Sequence, residues 1–246
     1  MIFDDFVRAA GKKDMILAFQ EMRHLNVLLK DLPPEEKKDN LVFFVIPGLS
    51  SKDNTTEITR RYLQTKGYKS FASGIEGGIE FTSACIDKLT ANVQAARESL
   101  MPHQKLVVMG HSAGGLIARG IVKRNPDRVA AVFNLGSILK KSDKAEFAGA
   151  INIADAISHY AKGMTREDMV HFLGDLETAG STPTVSIYSK DDTFLPSDFS
   201  ISRDARVKHV RIDDSPALQN RGPSHMGLIY SQTALDTVMK MARAFG

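Results

Sequence analysis

The chain has 246 residues, of which 43% are hydrophobic and 25% are charged, a composition typical of a globular protein with one sizeable core. The 32 basic and 29 acidic residues give a formal net charge of +3 and are dispersed along the chain, which argues against a nucleic-acid-binding protein. The single cysteine, Cys85, excludes an intramolecular disulfide and argues against a thiolate metal site. We expect neither a metal nor a cofactor.

The start of the chain does not have the pattern of an export signal. Acidic and basic side chains alternate there, without the long apolar core that a signal peptide needs. Nowhere does an apolar run approach the ~18 residues of a membrane span. We therefore expect a cytoplasmic protein without integral membrane association.

The first predicted element is an N-terminal helix. Apolar residues recur at roughly helical spacing from Phe3 to Leu29, in a stripe that includes Ile16, Phe19 and Val27. Pro33-Pro34 ends the pattern, and a charged linker follows it. Residues 1–38 are thus predicted to be a helical extension, which packs either on the core or against a partner.

Strands and helices alternate over the rest of the chain. Short apolar runs predict six strands, at Leu41–Ile46, Tyr68–Ala72, Lys105–Met109, Val129–Leu135, Thr184–Tyr188 and Val207–Ile212. Helical spacing predicts the intervening and final helices, at Thr55–Lys66, Phe81–Leu100, Gly114–Arg124 and Leu228–Phe245. This alternation is typical of βαβ units, so we expect a single α/β domain with a mostly parallel central sheet flanked by helices.

The stretch from about 137 to 180 interrupts the alternation. It contains no strand-like run, but two segments with helical spacing, one from Phe147 to Ala161 and one from Met169 to Leu176. We predict a helical insertion, whose apolar residues Phe147, Ile151, Met169 and Phe172 are suited to line a cap over an active site. Two ordinary crossover helices packed on the sheet are the alternative.

A glycine-flanked serine lies between a buried strand and a helix. The sequence G-H-S-A-G-G runs from Gly110 to Gly115 and follows the apolar run K-L-V-V-M directly. At a sharp strand-to-helix turn, glycines on both sides of Ser112 avoid steric collisions, and the helix N-terminus favours negative charge beside the hydroxyl. This context predicts that Ser112 is a nucleophile. The alternative is a turn serine that caps the helix.

A nucleophilic serine needs a base and an acid that orients the base. On this scaffold the acid and then the histidine follow the serine on loops after later strands. His225 lies in such a loop, whereas His209 lies inside a predicted strand, so we expect His225 to be the base. The acid is either Asp191 or Asp192, and position alone does not choose between them.

Four motifs in order resemble those of the α/β-hydrolase superfamily, in its bacterial lipase and esterase branch. They are V-I-P-G-L-S-S, G-H-S-A-G-G, S-I-Y-S-K-D-D-T-F-L-P and S-H-M-G-L-I-Y, and the resemblance extends from about Leu41 to the C-terminus apart from the insertion. In such families the acid commonly stands in a D-x-x-V-P-like context. D-T-F-L-P matches that context with Asp192, so the resemblance favours Asp192 over Asp191.

The resemblance also implies an oxyanion hole made of two backbone N–H groups. The residue after the nucleophile, Ala113, would supply one, and Leu49 in the loop after the first strand would supply the other. Many members have histidine before the glycine of that loop, where this chain has Pro47. Because the donor is a main-chain group, this difference affects the rigidity of the loop more than its chemistry.

These motifs predict a carboxylesterase- or lipase-like serine hydrolase with Ser112, Asp192 and His225 as its triad, acting on a small-molecule or lipid-like ester. An acyltransferase or a thioesterase would use the same residues. A non-catalytic ligand-binding protein on the same scaffold is the alternative from another class.

Overall fold

The structure is a computed structural model that describes residues 2–80, 82–139 and 180–246, with side chains from residue 11 onward. The predicted helical insertion, with its four cap residues, therefore lies almost wholly outside the described residues.

Six parallel strands form one sheet. They are β1 (Leu41–Ile46), β2 (Lys69–Ala72), β3 (Lys105–His111), β4 (Val129–Leu135), β5 (Thr184–Ser189) and β6 (Val207–Ile212). Their order across the sheet is β2-β1-β3-β4-β5-β6, and every neighbouring pair is parallel. The chain moves outward from β1 to β2 and then returns past β1 to β3. Such a reversal opens a crevice at the carboxyl ends of β1 and β3, where open parallel sheets bind their ligands.

Helices cover both faces of the sheet. They are α1 (Ile2–Asp31), α2 (Glu57–Thr65), α3 (Ser83–Glu98), α4 (Ala113–Arg124) and α5 (Gln232–Ala242). Side chains of β1 alternate between the two resulting cores: Phe43 and Val45 pack with α1, α2 and α5, whereas Val42 and Phe44 pack with α3 and α4. In the part of the chain that the structure describes, no helix is both long enough and apolar enough to span a membrane.

The predicted strands are confirmed to within two residues at each end. The last helix is shorter than predicted because its first turn is a separate 3₁₀ helix, Leu228–Tyr230. Ser231 then adopts an extended conformation and accepts a hydrogen bond from the N–H of Ala234, so α5 begins at Gln232.

Helix α1 packs on the core, but not through its predicted apolar stripe. Ile16, Phe19 and Val27 are 63%, 58% and 50% exposed. Its inward face carries Asp14, Ala18, Glu21 and Leu25, all of them buried. The sequence left open whether this helix packs on the core or against a partner, and the structure packs it on the core through a face that includes two carboxylates as well as Ala18 and Leu25.

Glu21 is fully buried, and neither carboxylate oxygen has a hydrogen-bond partner among the described residues. Burial raises its pKa from the ordinary 4.5 to about 7, and the nearby Ser215 hydroxyl offsets this only in part. Between these two pH values the folded protein holds a proton that the unfolded chain releases. The free energy of unfolding therefore falls as pH rises through this range.

We expect Glu21→Gln to stabilise the protein more at pH 8 than at pH 5, because glutamine never has to ionise. The difference in unfolding free energy between the variant and the parent chain should grow by about 2 kcal/mol over that interval, as measured by urea denaturation.

A matched control is Glu36→Gln, because Glu36 lies in the exposed linker. Its effect on stability should be the same at both pH values. A pH-independent effect of Glu21→Gln would show that Glu21 does not hold a proton in the folded state.

Candidate active site

The residues predicted to carry chemistry meet at the carboxyl edge of the sheet. Ser112 directly follows β3, Asp192 lies in the loop after β5, and His225 lies in the loop between β6 and α5. Leu49 lies just beyond β1, beside β3 in the sheet. The parallel arrangement thus brings loops that are spread from residue 49 to residue 225 of the sequence to one crevice.

Ser112 has an unusual backbone conformation. Its φ of 50° and ψ of −120° place it in a region that non-glycine residues rarely adopt, at a cost of about 1–3 kcal/mol. The turn is fixed by a hydrogen bond from the Ser112 N–H to the Leu135 carbonyl (2.8 Å). Ser112 occupies the N-cap position of α4, but its hydroxyl makes no capping hydrogen bond to the helix, so capping does not account for the hydroxyl.

The glycines around Ser112 are required by close approach of the backbone. A side chain on Gly110 would collide with the carbonyl of Gly114. A side chain on Gly114 would collide with the carbonyl of Pro47, where the β1 loop crosses the turn. The predicted steric reason for both glycines is confirmed, and their absence of side chains lets the loops after β1 and β3 pack against each other.

The structure joins Ser112, His225 and Asp192 by hydrogen bonds. His225 Nδ1 lies 2.8 Å from Asp192 Oδ2, and His225 Nε2 lies 3.0 Å from Ser112 Oγ. When Nδ1 carries the proton and donates a hydrogen bond to Asp192, Nε2 is free to accept a hydrogen bond, and then the proton, from the Ser112 hydroxyl. His225 and Asp192 are both buried, whereas Ser112 is partly exposed in the crevice.

The two neighbouring aspartates have different partners. Asp192 Oδ1 accepts hydrogen bonds from the N–H groups of Phe194 (3.0 Å) and Leu195 (2.6 Å), which hold Oδ2 toward His225. Asp191 Oδ2 instead accepts from the N–H of Gly222 (2.6 Å) and is only partly buried. The structure therefore brings Asp192 to His225, whereas Asp191 is hydrogen-bonded to the loop that contains His225.

The pKa of His225 is raised above its ordinary value of 6.5. Burial alone would lower it, but the charge of Asp192, the hydrogen bond to Asp192 and the charge of Asp14 together outweigh burial. These carboxylates favour the imidazolium, which is the state that forms when His225 takes a proton from Ser112.

Two residues that the sequence did not assign to the site hold the backbone of His225. His111 donates a hydrogen bond from Nε2 to the His225 carbonyl (2.8 Å), and burial followed by the charge of His225 lowers the pKa of His111 to about 3. From α1, Asp14 accepts a hydrogen bond from the His225 N–H (2.9 Å). No local motif marks Asp14; the only available signal was a carboxylate within a helix that must bury one face.

The two residues that the resemblance assigns to an oxyanion hole follow β1 and β3. Ala113 is the first residue of α4, where N–H groups have no partner within the helix, and Leu49 forms a bridge to Ile79. Neither N–H donates a hydrogen bond to another described residue.

Apolar side chains border the site at the histidine. The Phe194 ring lies 5.0 Å from the His225 ring between centroids, and Phe194 is 40% exposed. Met226, the next residue after the histidine, is 41% exposed. These two side chains offer apolar contact surface to a molecule that reaches Ser112.

No protein-family model matches the sequence, and no curated protein matches it. Solved structures do. A monoacylglycerol lipase of Paleococcus ferrophilus is 12% identical, with a TM-score of 0.57 over 87% of this chain and 97% of the lipase. A structure from a study of LipS and LipT, two metagenome-derived lipolytic enzymes, is 14% identical, with a TM-score of 0.57 over 87% of this chain and 98% of that chain.

A third match is a thermophilic esterase from Thermogutta terrifontis, 15% identical with a TM-score of 0.54 over 86% of this chain and 92% of the esterase. At sequence identities this low, the structural similarity is evidence about the fold alone. Together with the parallel sheet and its order, they show that this chain has the α/β-hydrolase fold, as its motifs predicted.

Proposed function

We propose that this protein is a serine hydrolase that cleaves carboxylic esters through an acyl-enzyme intermediate. The observation that carries the proposal is the hydrogen-bond chain from Ser112 Oγ through the His225 imidazole to Asp192. Serine is activated for acyl transfer when its hydroxyl is hydrogen-bonded to a buried imidazole that is itself hydrogen-bonded to a carboxylate.

In the proposed mechanism His225 Nε2 removes the Ser112 proton as Oγ attacks the ester carbonyl. Asp192 holds the imidazole in the required tautomer and stabilises its positive charge. The imidazolium then protonates the leaving alcohol, and the acyl group remains on Ser112. A water molecule, deprotonated by the same imidazole, hydrolyses the acyl-enzyme and regenerates the hydroxyl.

The developing oxyanion would be held by the N–H groups of Leu49 and Ala113. This role is supported by the lack of another acceptor for either N–H among the described residues, by the position of Ala113 directly after Ser112, and by the approach of the β1 loop to Ser112 at Gly48. The N-terminus of α4 adds a favourable electrostatic field at the same place. A donor of this kind typically contributes about 3–4 kcal/mol to transition-state stabilisation.

An ester is the substrate class best supported. Structural neighbours include a monoacylglycerol lipase and an esterase, and the exposed Phe194 and Met226 suit a small-molecule or lipid-like ester with an apolar group. Thioester hydrolysis and acyl transfer to another alcohol require the same triad and differ in the leaving group or the acceptor.

A fluorophosphonate probe and a substrate series test this proposal. We expect stoichiometric labelling of Ser112, located by peptide mass spectrometry, and hydrolysis of p-nitrophenyl esters whose rate varies with acyl length. Faster cleavage of matched thioesters would make the protein a thioesterase. An unlabelled protein without esterase activity would make it a non-catalytic binding protein on this fold.

A further inference from the structure

Asp14 is a buried carboxylate whose hydrogen bonds go to the histidine loop. The side chain, 1% exposed, accepts from the N–H of His225 (2.9 Å, Oδ2) and from the N–H of Met226 (2.8 Å, Oδ1). The Ser224 hydroxyl lies 3.2 Å from Oδ1 and 3.1 Å from the Asp14 carbonyl oxygen. Three consecutive residues, 224 to 226, with the histidine in the middle, are therefore hydrogen-bonded to the Asp14 carboxylate.

A carboxylate is costly to bury unless several donors replace its water, and here the donors come from a segment about 210 residues away. The apolar alternative was available on the same helix, because Ile16 and Phe19 face outward while Asp14 faces inward. The inward position of Asp14 thus serves the loop and not the packing of the helix.

The contacts of Asp14 complete the immobilisation of His225. Asp192 holds the ring at Nδ1 and His111 holds the main-chain carbonyl, while Asp14 holds the main-chain N–H. The one remaining polar atom, Nε2, faces Ser112. With both its backbone groups and one ring nitrogen fixed, the imidazole has little freedom to turn away from the serine.

We propose that Asp14 is a positioning residue for the reaction: through the backbone of residues 224–226 it fixes His225 in line with Ser112, so that the N-terminal helix is part of the active-site apparatus. This inference rests on the proposed serine hydrolase function. It goes beyond that function because it assigns a role to a helix outside the hydrolase resemblance.

Asp14 also acts on His225 by charge, which gives the proposal a distinct signature. Three titratable groups face His225 from neighbouring elements: Asp192 after β5, Asp14 on α1 and His111 at the end of β3. The two carboxylates raise the pKa of His225, whereas His111, with a pKa of about 3, stays neutral at working pH. Loss of the charge at position 14 therefore lowers the pKa of His225, and activity should persist to lower pH.

Asp14→Asn is the test, with p-nitrophenyl acetate as the substrate and rates expressed per active site titrated with a fluorophosphonate. An asparagine amide would present N–H to one of the two backbone N–H groups, so the loop should shift. We expect kcat to fall about tenfold with little change in KM, and the acid limb of the pH–kcat/KM profile to move to lower pH. A fall in kcat with an unmoved acid limb would mean that Asp14 has a purely structural role. A moved acid limb with an unchanged kcat would mean that Asp14 does not position His225. Either result overturns the proposal.

Glu21→Gln is the matched control, because Glu21 is buried on the same face of α1, two turns further along. It should leave kcat within about twofold of the parent value and the acid limb in place. The same changes as in Asp14→Asn would assign the effect to helix packing and overturn the proposal.

If Asp14→Asn does not fold, Ser224→Ala is the second test, because it removes one hydrogen-bond donor to Asp14 and keeps the charge. We then expect a fall in kcat of a few-fold with the limb unmoved, and an unchanged kcat would overturn the proposal.

The two hypotheses fail in different ways. A parent protein that neither hydrolyses the ester nor reacts with the probe would refute the serine hydrolase function, and the role of Asp14 with it. If the parent protein is active and labelled, and Asp14→Asn has the same kcat and pH profile as the parent, the role of Asp14 alone is refuted.

Discussion

Replacement of Ser112 by alanine is expected to reduce kcat for ester hydrolysis by about 10⁴- to 10⁶-fold, with KM little changed. The Ser112 hydroxyl is hydrogen-bonded to His225 Nε2 and is the proposed nucleophile. Without it, no acyl-enzyme could form. Activity of the order of 10³-fold over the uncatalysed reaction could remain, because the N–H groups of Leu49 and Ala113 would still polarise a bound ester. The measurement is steady-state hydrolysis of p-nitrophenyl acetate, together with loss of fluorophosphonate labelling.

Ser137→Ala is the matched control for this variant. The Ser137 hydroxyl donates a hydrogen bond to the Ser112 carbonyl (2.8 Å), so it is close to the nucleophile without facing the histidine. The Ser112 carbonyl keeps a second donor, the N–H of Gly115, and activity should stay within about tenfold of the parent protein. Thermal unfolding of Ser112→Ala should be nearly unchanged, since alanine has the same backbone strain at this position. Full activity of Ser112→Ala would refute the proposed mechanism.

The sheet and the turn at Ser112 were predictable because their determinants are local. Each buried strand is a short apolar run, and the glycines at 110 and 114 mark a place where a strand turns sharply into a helix. The order of the acid and histidine loops follows from the order of the strands. Position along the chain did not choose between Asp191 and Asp192, because both stand in the same turn and differ in which N–H groups they meet; the resemblance in D-T-F-L-P favoured Asp192.

The role of α1 could not be predicted for a similar reason. Hydrophobic periodicity marked Ile16 and Phe19 as part of an apolar stripe, whereas the structure exposes them and buries Asp14 and Glu21. A buried carboxylate needs donors, and two of those that meet Asp14 are the main-chain N–H groups of residues 225 and 226. Main-chain donors have no signature in the amino-acid sequence, so this contact became visible only in three dimensions.

Asp192→Asn tests the choice of Asp192 over its neighbour Asp191 as the acid. The side-chain oxygen of the introduced asparagine can still accept from the N–H groups of Phe194 and Leu195, which turns its amide nitrogen toward His225 Nδ1. An amide donor at that position forces the imidazole proton onto Nε2, where it faces Ser112 and prevents His225 from acting as a base. We expect kcat to fall by about 10⁴-fold with KM nearly unchanged, as measured on the same chromogenic ester.

The acid limb of the pH profile adds an independent readout for Asp192→Asn. The Asp192 carboxylate raises the pKa of His225, so its loss should move the limb of the residual activity to lower pH. Asp191→Asn is the matched control: the carboxylate contacts the Gly222 N–H and not the histidine, so we expect kcat within about fivefold and an unmoved limb. If Asp191→Asn caused the larger loss, Asp192 would not be the acid. Comparable losses in both variants would instead mean that the position of the histidine loop limits the rate more than the charge beside Nδ1.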